Sequence, residues 1–353
     1  MRKTLAAWYS REKRDLPWRR RHDAYGIWLS EVMLQQTRVS TVIPYYQRFL
    51  QRFPDVFALA AAPLDDVLTA WSGLGYYRRA RLLHAGAVHV AESLGGVFPP
   101  EPAALQAIPG IGAYTAGAIA SIAFGTRAPV VDGNVERVLC RVVADPLDPR
   151  RAGKRALWQR AADLVDPAAP GDFNQALMEL GATVCTPKNP ACDECPWRRD
   201  CAAAAQGTQL DYPRLGARIT QKPLELTYLV LRAREEGTVL VGKRPAEGRF
   251  AGMWEPPCIE GGSAATRVTS LCRALGVRRG KSAGDNIARE CGGFEHVLSH
   301  LRLAVSVYSA TIPNERTIEG LFDYVETAWR PPHAERGESR LARRALELTS
   351  VLG

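Results

Sequence analysis

Over the first 205 residues, apolar positions recur three and four apart, with Gly and Pro between the runs. That spacing marks one face of a helix. It predicts helices over Ile27–Val42, Leu64–Leu74, Arg78–Ala91, Ala103–Ala107, Tyr114–Phe124, Val135–Val143, Lys154–Val165 and Phe173–Cys185. The period then stops, and the stretch 206–223, with Gly207, Pro213, Gly216 and Pro223, reads as a linker. Beyond it the texture changes. Leu226–Ala233 and Thr238–Lys243 alternate or run apolar around Glu235-Glu236-Gly237, which predicts a hairpin. Thr266–Leu275 reads as a helix, His300–Ala310 and Val325–Trp329 as strands, and Arg340–Leu352 as a closing helix. The expected organisation is an all-α domain over 1–205, the linker, and an α+β domain over 224–353.

The 353 residues suffice for two cores. With 46% hydrophobic and 24% charged residues, the chain is neither disordered, nor a fibre, nor a disulfide-stapled module. Its net charge of +9 points to an anionic partner, nucleic acid before a membrane surface. The surplus is uneven: residues 1–223 carry 28 basic and 21 acidic side chains, against 18 and 16 in the rest. The anion-binding surface is therefore expected on the first part. No apolar run of about 20 residues suggests a membrane span, and the N-terminus lacks the apolar stretch of a secretory signal. A cytoplasmic location follows as the expectation, and there disulfides are rare.

The eight cysteines therefore need another account. Cys185, Cys192, Cys195 and Cys201 fall in one short segment, spaced C-x6-C-x2-C-x5-C. Four thiolates in one loop suit a cubane iron–sulfur cluster or a tetrahedral zinc. The other four are scattered and read as small apolar residues. Around residues 105–124, Ile108-Pro109-Gly110-Ile111-Gly112 ends one helix and starts the next. Gly110 and Gly112 permit a tight turn, and the amides opening the following helix offer a seat for one backbone phosphate without sequence preference.

A glycine hairpin, then Val131-Asp132-Gly133-Asn134, then four cysteines at this spacing resembles the endonuclease III superfamily of DNA glycosylases. Within it, Trp28-Leu29-Ser30-Glu31-Val32-Met33-Leu34-Gln35-Gln36-Thr37 and Gly73-Leu74-Gly75-Tyr76-Tyr77-Arg78-Arg79-Ala80-Arg81 are similar to the adenine-excising MutY branch. The likeness runs through residues 1–205 and is looser beyond. It implies an all-α helix-hairpin-helix glycosylase domain with an iron–sulfur loop at 185–201, followed by an α+β Nudix-like domain. It also favours one [4Fe-4S] cluster over zinc, with no nucleotide cofactor.

Hydrolysis of an N-glycosidic bond needs an acid for the leaving group and a carboxylate for a cationic sugar. The resemblance assigns these to Glu31 and Asp132, with Asn134 beside the latter. Glu31 sits among Leu29, Val32, Met33 and Leu34, so a dry pocket would keep it protonated, able to deliver a proton to adenine N7. Asp132 is expected to stay ionised. Bifunctional relatives use a lysine two residues after the second hairpin glycine. Here that residue is Tyr114, which cannot form a Schiff base, so a monofunctional enzyme is expected. In the family a tyrosine here approaches the catalytic Asp.

The adenine must leave the duplex. The resemblance places Gln36 and Tyr76 at the wedge and Thr37 and Leu74 opposite the vacated base. Trp18, Arg19, Leu34 and Gln175 belong to the adenine pocket, with Gln175 reading the base edge. Arg78 and Arg81 lie near backbone phosphates. In the second domain, Gly242–Pro245 and Gly248–Pro257 resemble the opening strands of a Nudix-like domain that reads 8-oxoguanine. Its reading loop is expected at Phe294–Leu301, with Leu298, Ser299 and His300 where the family commonly has Phe-Ser-His. The helix at Thr266–Leu275 has no Asp or Glu to hold a divalent cation, so phosphate-ester hydrolysis is not expected. The expected partner is duplex DNA containing an adenine mispair, bound by a monomer, with the linker open to repair proteins and no membrane involved. The rival readings are a bifunctional glycosylase/lyase for oxidised pyrimidines, a non-catalytic DNA-damage binder, and a Nudix nucleotide hydrolase.

Overall fold

The computed structural model describes all residues except 217–219, 282–283, 319–320, 333, 335–336 and 351–353. The first 206 residues form twelve α-helices, α1 (Arg2–Glu12), α2 (Ala24–Leu34), α3 (Val39–Arg52), α4 (Val56–Ala61), α5 (Leu64–Trp71), α6 (Arg78–Ser93), α7 (Pro102–Leu105), α8 (Ala113–Phe124), α9 (Gly133–Val143), α10 (Lys154–Leu164), α11 (Pro170–Thr183) and α12 (Ala202–Gln206). The helix expected over Ile27–Val42 is two helices. Its break falls at Gln36, whose φ of 59° is left-handed, a conformation that neither Gly nor Asn announces here.

The chain divides into two compact units: Met1–Ala61 with Leu82–Ala217, and Ala62–Arg81 with Arg218–Gly353. The segment 62–81 is helical in texture yet groups with the second unit. Hydrogen bonds account for it. Lys243 Nζ donates to Asp65 at 2.6 Å, and the Tyr77 and Ser72 hydroxyls donate to the Glu338 carbonyl at 2.8 and 3.0 Å. The linker expected over 206–223 holds a 3-10 turn at Gln209–Asp211, lies partly outside the described residues, and gives way to a strand at Lys222.

In the first unit, α2 is buried over nine of its eleven residues, from Tyr25 to Met33. Such a helix reads as apolar on nearly every face. Asp23 caps its start by accepting from the Gly26 amide at 2.8 Å. A second core joins Leu5 and Trp8 of α1 to Val135, Leu139, Leu177 and Leu180 of α9 and α11.

The second unit is an eight-stranded sheet, β1 (Lys222–Ala233), β2 (Thr238–Lys243), β3 (Trp254–Glu255), β4 (Cys258–Glu260), β5 (Arg278–Arg279), β6 (Ile287–Val297), β7 (Leu301–Ile312) and β8 (Glu326–Arg330), with helices α13 (Ala264–Ala274) and α14 (Arg340–Ser350). The order is β3-β2-β1-β7-β6-β5, and β1 runs parallel to β7 over twelve pairs. The two-residue side-chain period explains the layers. Tyr228 and Val230 of β1 face a core with Leu341, Ala345 and Leu346 of α14, while Leu229 and Leu231 face Val268 and Leu271 of α13.

The reading loop is shorter than expected. Phe294–Val297 belong to β6, paired with β7 down to Val297↔Arg302, and Leu298–His300 alone form the turn, closed by Leu298 N–H to Leu301 O at 2.8 Å. Among the described residues, no helix is long and apolar enough to cross a membrane.

Candidate active site

Three helices of the first unit bring the chemistry together. Glu31, 6% exposed, projects from the third turn of α2. Tyr114, in the first turn of α8, donates its phenol proton to Glu31 Oε2 and lies 3.3 Å from Met178 Sδ on α11. Asp132 is the N-cap of α9. Its Oδ1 accepts from the Asn134 and Val135 amides at 2.9 and 2.7 Å, and its Oδ2 from Asn134 Nδ2 at 3.0 Å. One side chain is thus both helix cap and candidate catalytic group. Asp132 is held in place through Gly117 of α8, where a Cβ would lie 2.1 Å from the Pro129 carbonyl. Only glycine lets the segment leading to Asp132 lie this close to α8.

The electrostatics differ between the two carboxyls. Burial raises Glu31 from 4.5 to about 7; the Tyr114 hydrogen bond opposes this, Asp132 adds to it, and Arg19 opposes it. At Asp132 burial again prevails and holds the carboxyl above its ordinary value, although its three hydrogen-bond donors and Arg137 favour the anion. Tyr114 is half-buried beside both carboxyls, and desolvation and their charge hold it well above its ordinary value, so it remains a neutral phenol. The phenol's hydrogen-bond partners are Glu31 and Met178; towards Asp132, the residue the resemblance gave it, it has an electrostatic relation only.

The remaining residues of the first unit fall as follows. Trp18 is buried, edge-on to Tyr46 with centroids 5.6 Å apart. Leu34 is half-buried at the end of α2, Gln36 is exposed, and Thr37 is half-buried after the break. Gln175 is half-buried one turn before Glu179 and makes no hydrogen bond to a described residue. Arg19 donates to Glu179 Oε2 at 2.8 Å.

Glu179, with Arg14, is what the sequence reading missed. Arg14 donates to both Glu179 oxygens at 2.8 Å, and the carboxylate is 1% exposed. Burial alone would raise its pKa, but the bonds from Arg14 and Arg19 prevail and bring it to about 2. It is a permanent buried anion that fixes the position of Arg19 from α11, one residue from Met178. The partners lie 165 positions apart in the chain, so no local pattern signals them.

At the hairpin, Gly110 has φ of 82°, and a Cβ there would meet Leu82 Cβ at 2.8 Å. Gly112 caps α8 and faces open space, as an approaching phosphate requires. In the second unit, Tyr76 (φ 50°, 49% exposed) places its hydroxyl 3.3 Å from Ser299 Oγ. A wedge candidate and a reading-loop candidate therefore touch. Leu74 is buried, Arg78 is exposed, and Arg81 donates to the Ala251 carbonyl. Leu298 packs partly against the α14 core, and His300 accepts the Lys222 amide at its carbonyl, 3.0 Å away.

Cys185, Cys192, Cys195 and Cys201 line one cavity together with Trp197 and Arg141. All eight cysteines are free thiols. Four thiols around one cavity suit an iron–sulfur cluster. Arg141 NH1 donates to Cys185 Sγ at 3.3 Å and to Thr186 O at 2.8 Å, the kind of contact that tunes a cluster sulfur. A second arginine runs towards the catalytic end: Arg137 donates to Cys185 O at 2.7 Å and to Asn134 Oδ1 at 2.8 Å.

Residues 29–162 match the HhH-GPD superfamily of base excision DNA repair proteins, residues 185–201 the iron–sulfur binding domain of endonuclease III, and residues 227–342 a NUDIX domain. The four cysteines accordingly carry a [4Fe-4S] cluster. The purified protein is expected to contain about four iron and four sulfide per chain, and Cys192→Ser to lose both, as iron and sulfide assays would read. The solved structure of a thermostable thymine-DNA glycosylase superposes with a TM-score of 0.54 at 29% identity, covering 58% of this chain and 94% of that one. An endonuclease III–DNA complex at 20% identity and TM-score 0.50 shares the fold over 59% of this chain and 96% of that one. The adenine DNA glycosylase of Homo sapiens is 39% identical over 90% of this chain and 68% of its own length, and that of Rattus norvegicus 40% identical over 89% and 71%. With that identity across both halves, the chain belongs to the adenine DNA glycosylase family.

Proposed function

We propose that this protein removes adenine paired with 8-oxoguanine or guanine in duplex DNA, by hydrolysis and without cutting the strand. The observation that carries the reading is the Glu31–Tyr114–Asp132 arrangement. A carboxyl with a pKa near neutrality still holds a proton when it meets the base. Tyr114 occupies Glu31 Oε2, which leaves the other oxygen to carry that proton to adenine N7. As the glycosidic bond breaks, positive charge grows on the sugar. Asp132, fixed by three N–H groups, stabilises that charge. Water completes the hydrolysis. No lysine is among the described groups that touch Glu31, Tyr114 or Asp132, so an amine for β-elimination is missing.

The second unit has a reading role in this proposal. Its helix α13, AATRVTSLCRA, offers no carboxylate for a divalent ion. The turn Leu298–His300 would present Ser299 and His300 to the base opposite adenine, with Tyr76 as the wedge beside it. The catalytic work would then lie in residues 1–205 and the reading in 224–353, and a monomer suffices because every group named comes from one chain.

The test is a single-turnover reaction on a duplex with one adenine opposite 8-oxoguanine, each time point divided in two. Strand scission only after hot alkali is the expected result. Equal scission without alkali, or trapping of the protein on DNA by borohydride, would assign a lyase and overturn the role given to Tyr114. Tight binding with no scission in either half would make the protein a binder.

A further inference from the structure

Beyond the reading turn itself, the second unit carries a stripe of positive charge that the chemistry described above does not use. It lies where α14 runs along β6. The guanidinium of Arg344 stands 4.4 Å over the Phe294 ring and reaches the Glu295 carbonyl at 3.5 Å. Arg340 lies one helical turn earlier. Both act on His296, two residues further along β6, and their repulsion, after burial, lowers its pKa. The spacings agree: one turn from Arg344 to Arg340 advances about 6 Å, and two strand residues from Phe294 to His296 about 6.6 Å. Helix and strand therefore step together towards the turn at Leu298–His300.

This stripe is not neutralised. Neither Arg340 nor Arg344 forms an ion pair with a described residue. Of the two acids on the same strand, Glu295 is 3.8 Å from Arg302, and Glu290 accepts from the Tyr308 hydroxyl at 3.2 Å. The neighbouring Arg343 is shared between Glu338 and Ser72. Glu347, on α14, forms no ion pair with a described residue. Holding two arginines within reach of a partly buried histidine costs stability through like-charge repulsion and desolvation. Such a cost is offset when an anion occupies the site.

We propose that Arg340, Arg344 and His296 form a phosphate-binding stripe that takes the backbone of the DNA strand whose base is read by Leu298–His300. The inference rests on the reading role given to that turn. Phosphate contacts fix register without carrying sequence information, whereas the turn contacts the base edge. The stripe would set the strand so that Ser299 and His300 meet one base rather than its neighbours.

The test uses the full chain, with Arg340→Gln and Arg344→Gln made singly and together. Two duplexes are compared over a salt series, both with a tetrahydrofuran residue in place of the excised adenosine. One has 8-oxoguanine opposite, the other guanine. Each lost phosphate contact should reduce the slope of log K against log salt by about 0.9 on both duplexes. The ratio of the two affinities should stay constant. Ser299→Ala should do the reverse, lowering the ratio and leaving the slope alone. Arg344 also covers Phe294, so a fall in stability there is separable: Arg340 has no such packing contact, and its variant is decisive. An unchanged slope for Arg340→Gln and for the double variant overturns the stripe. An unchanged affinity ratio for Ser299→Ala overturns the reading role instead.

Discussion

Glu31→Gln should stop adenine release and, at the same time, make the protein more stable above neutral pH. The loss of rate is that of a general acid, about 10²–10⁴-fold, read in single turnover. The stability gain follows from proton linkage. The carboxyl is at about 7 in the folded chain and at its ordinary 4.5 when unfolded. Between those values the folded state holds more protons, so the wild-type protein loses stability as pH rises through the window and levels off above it. The full effect is about 3 kcal/mol at pH 8. Glutamine does not titrate, and its carbonyl can still accept from Tyr114. Melting curves of the two proteins should therefore converge below pH 4.5 and separate above pH 7. A constant gap across that range would contradict a raised Glu31. The wild-type single-turnover rate should fall tenfold per unit above about pH 7.

The second large effect is on folding. Glu179→Ala should lower the free energy of unfolding by about 3 kcal/mol, because it strips the partner from two arginines, one of them well buried. Arg14→Ala should cost much less, since Arg14 is 40% exposed and Arg19 still satisfies the carboxylate. Glu179 is lowered in the fold, so its contribution is complete above its unfolded value. It fades as pH falls towards about 2. Denaturant midpoints at pH 7 and pH 3 check both statements; equal losses for the two variants at pH 7 would show the ion pair to be solvent-screened.

How far the sequence carried the argument depends on the range of the forces involved. The cluster cysteines and the hairpin glycines are local patterns, and their spacing alone exposed them. Burial of Glu31 was legible because Leu29, Val32 and Met33 surround it on one helix. The break at Gln36 was not, because tertiary packing imposes a left-handed residue without a glycine to mark it. Strand β6 was missed for a related reason. It contains Gly292 and Gly293, has a bulge between Glu290 and Gly292, and leaves much of its length exposed, so neither propensity nor alternation announces it. Glu179 was invisible because its partners are distant in the chain. Residues 62–81 read correctly as helical, but side-chain bonds to Lys243 and Glu338, not periodicity, decide which body they join.

That last placement changes what a shortened gene would make. The chain enters the second unit at Ala62, leaves it after Arg81, and returns at Arg218. A protein ended at the linker would keep Glu31, Asp132 and the four cysteines of residues 185–201. It would nevertheless strand Asp65, Ser72, Tyr76 and Tyr77 without Lys243, Ser299 and Glu338. The segment bearing Tyr76 would lose the contacts that shape it. Residues 62–81 and 218–353 therefore make one compact unit, and a cut at the linker divides that unit rather than separating it from its neighbour.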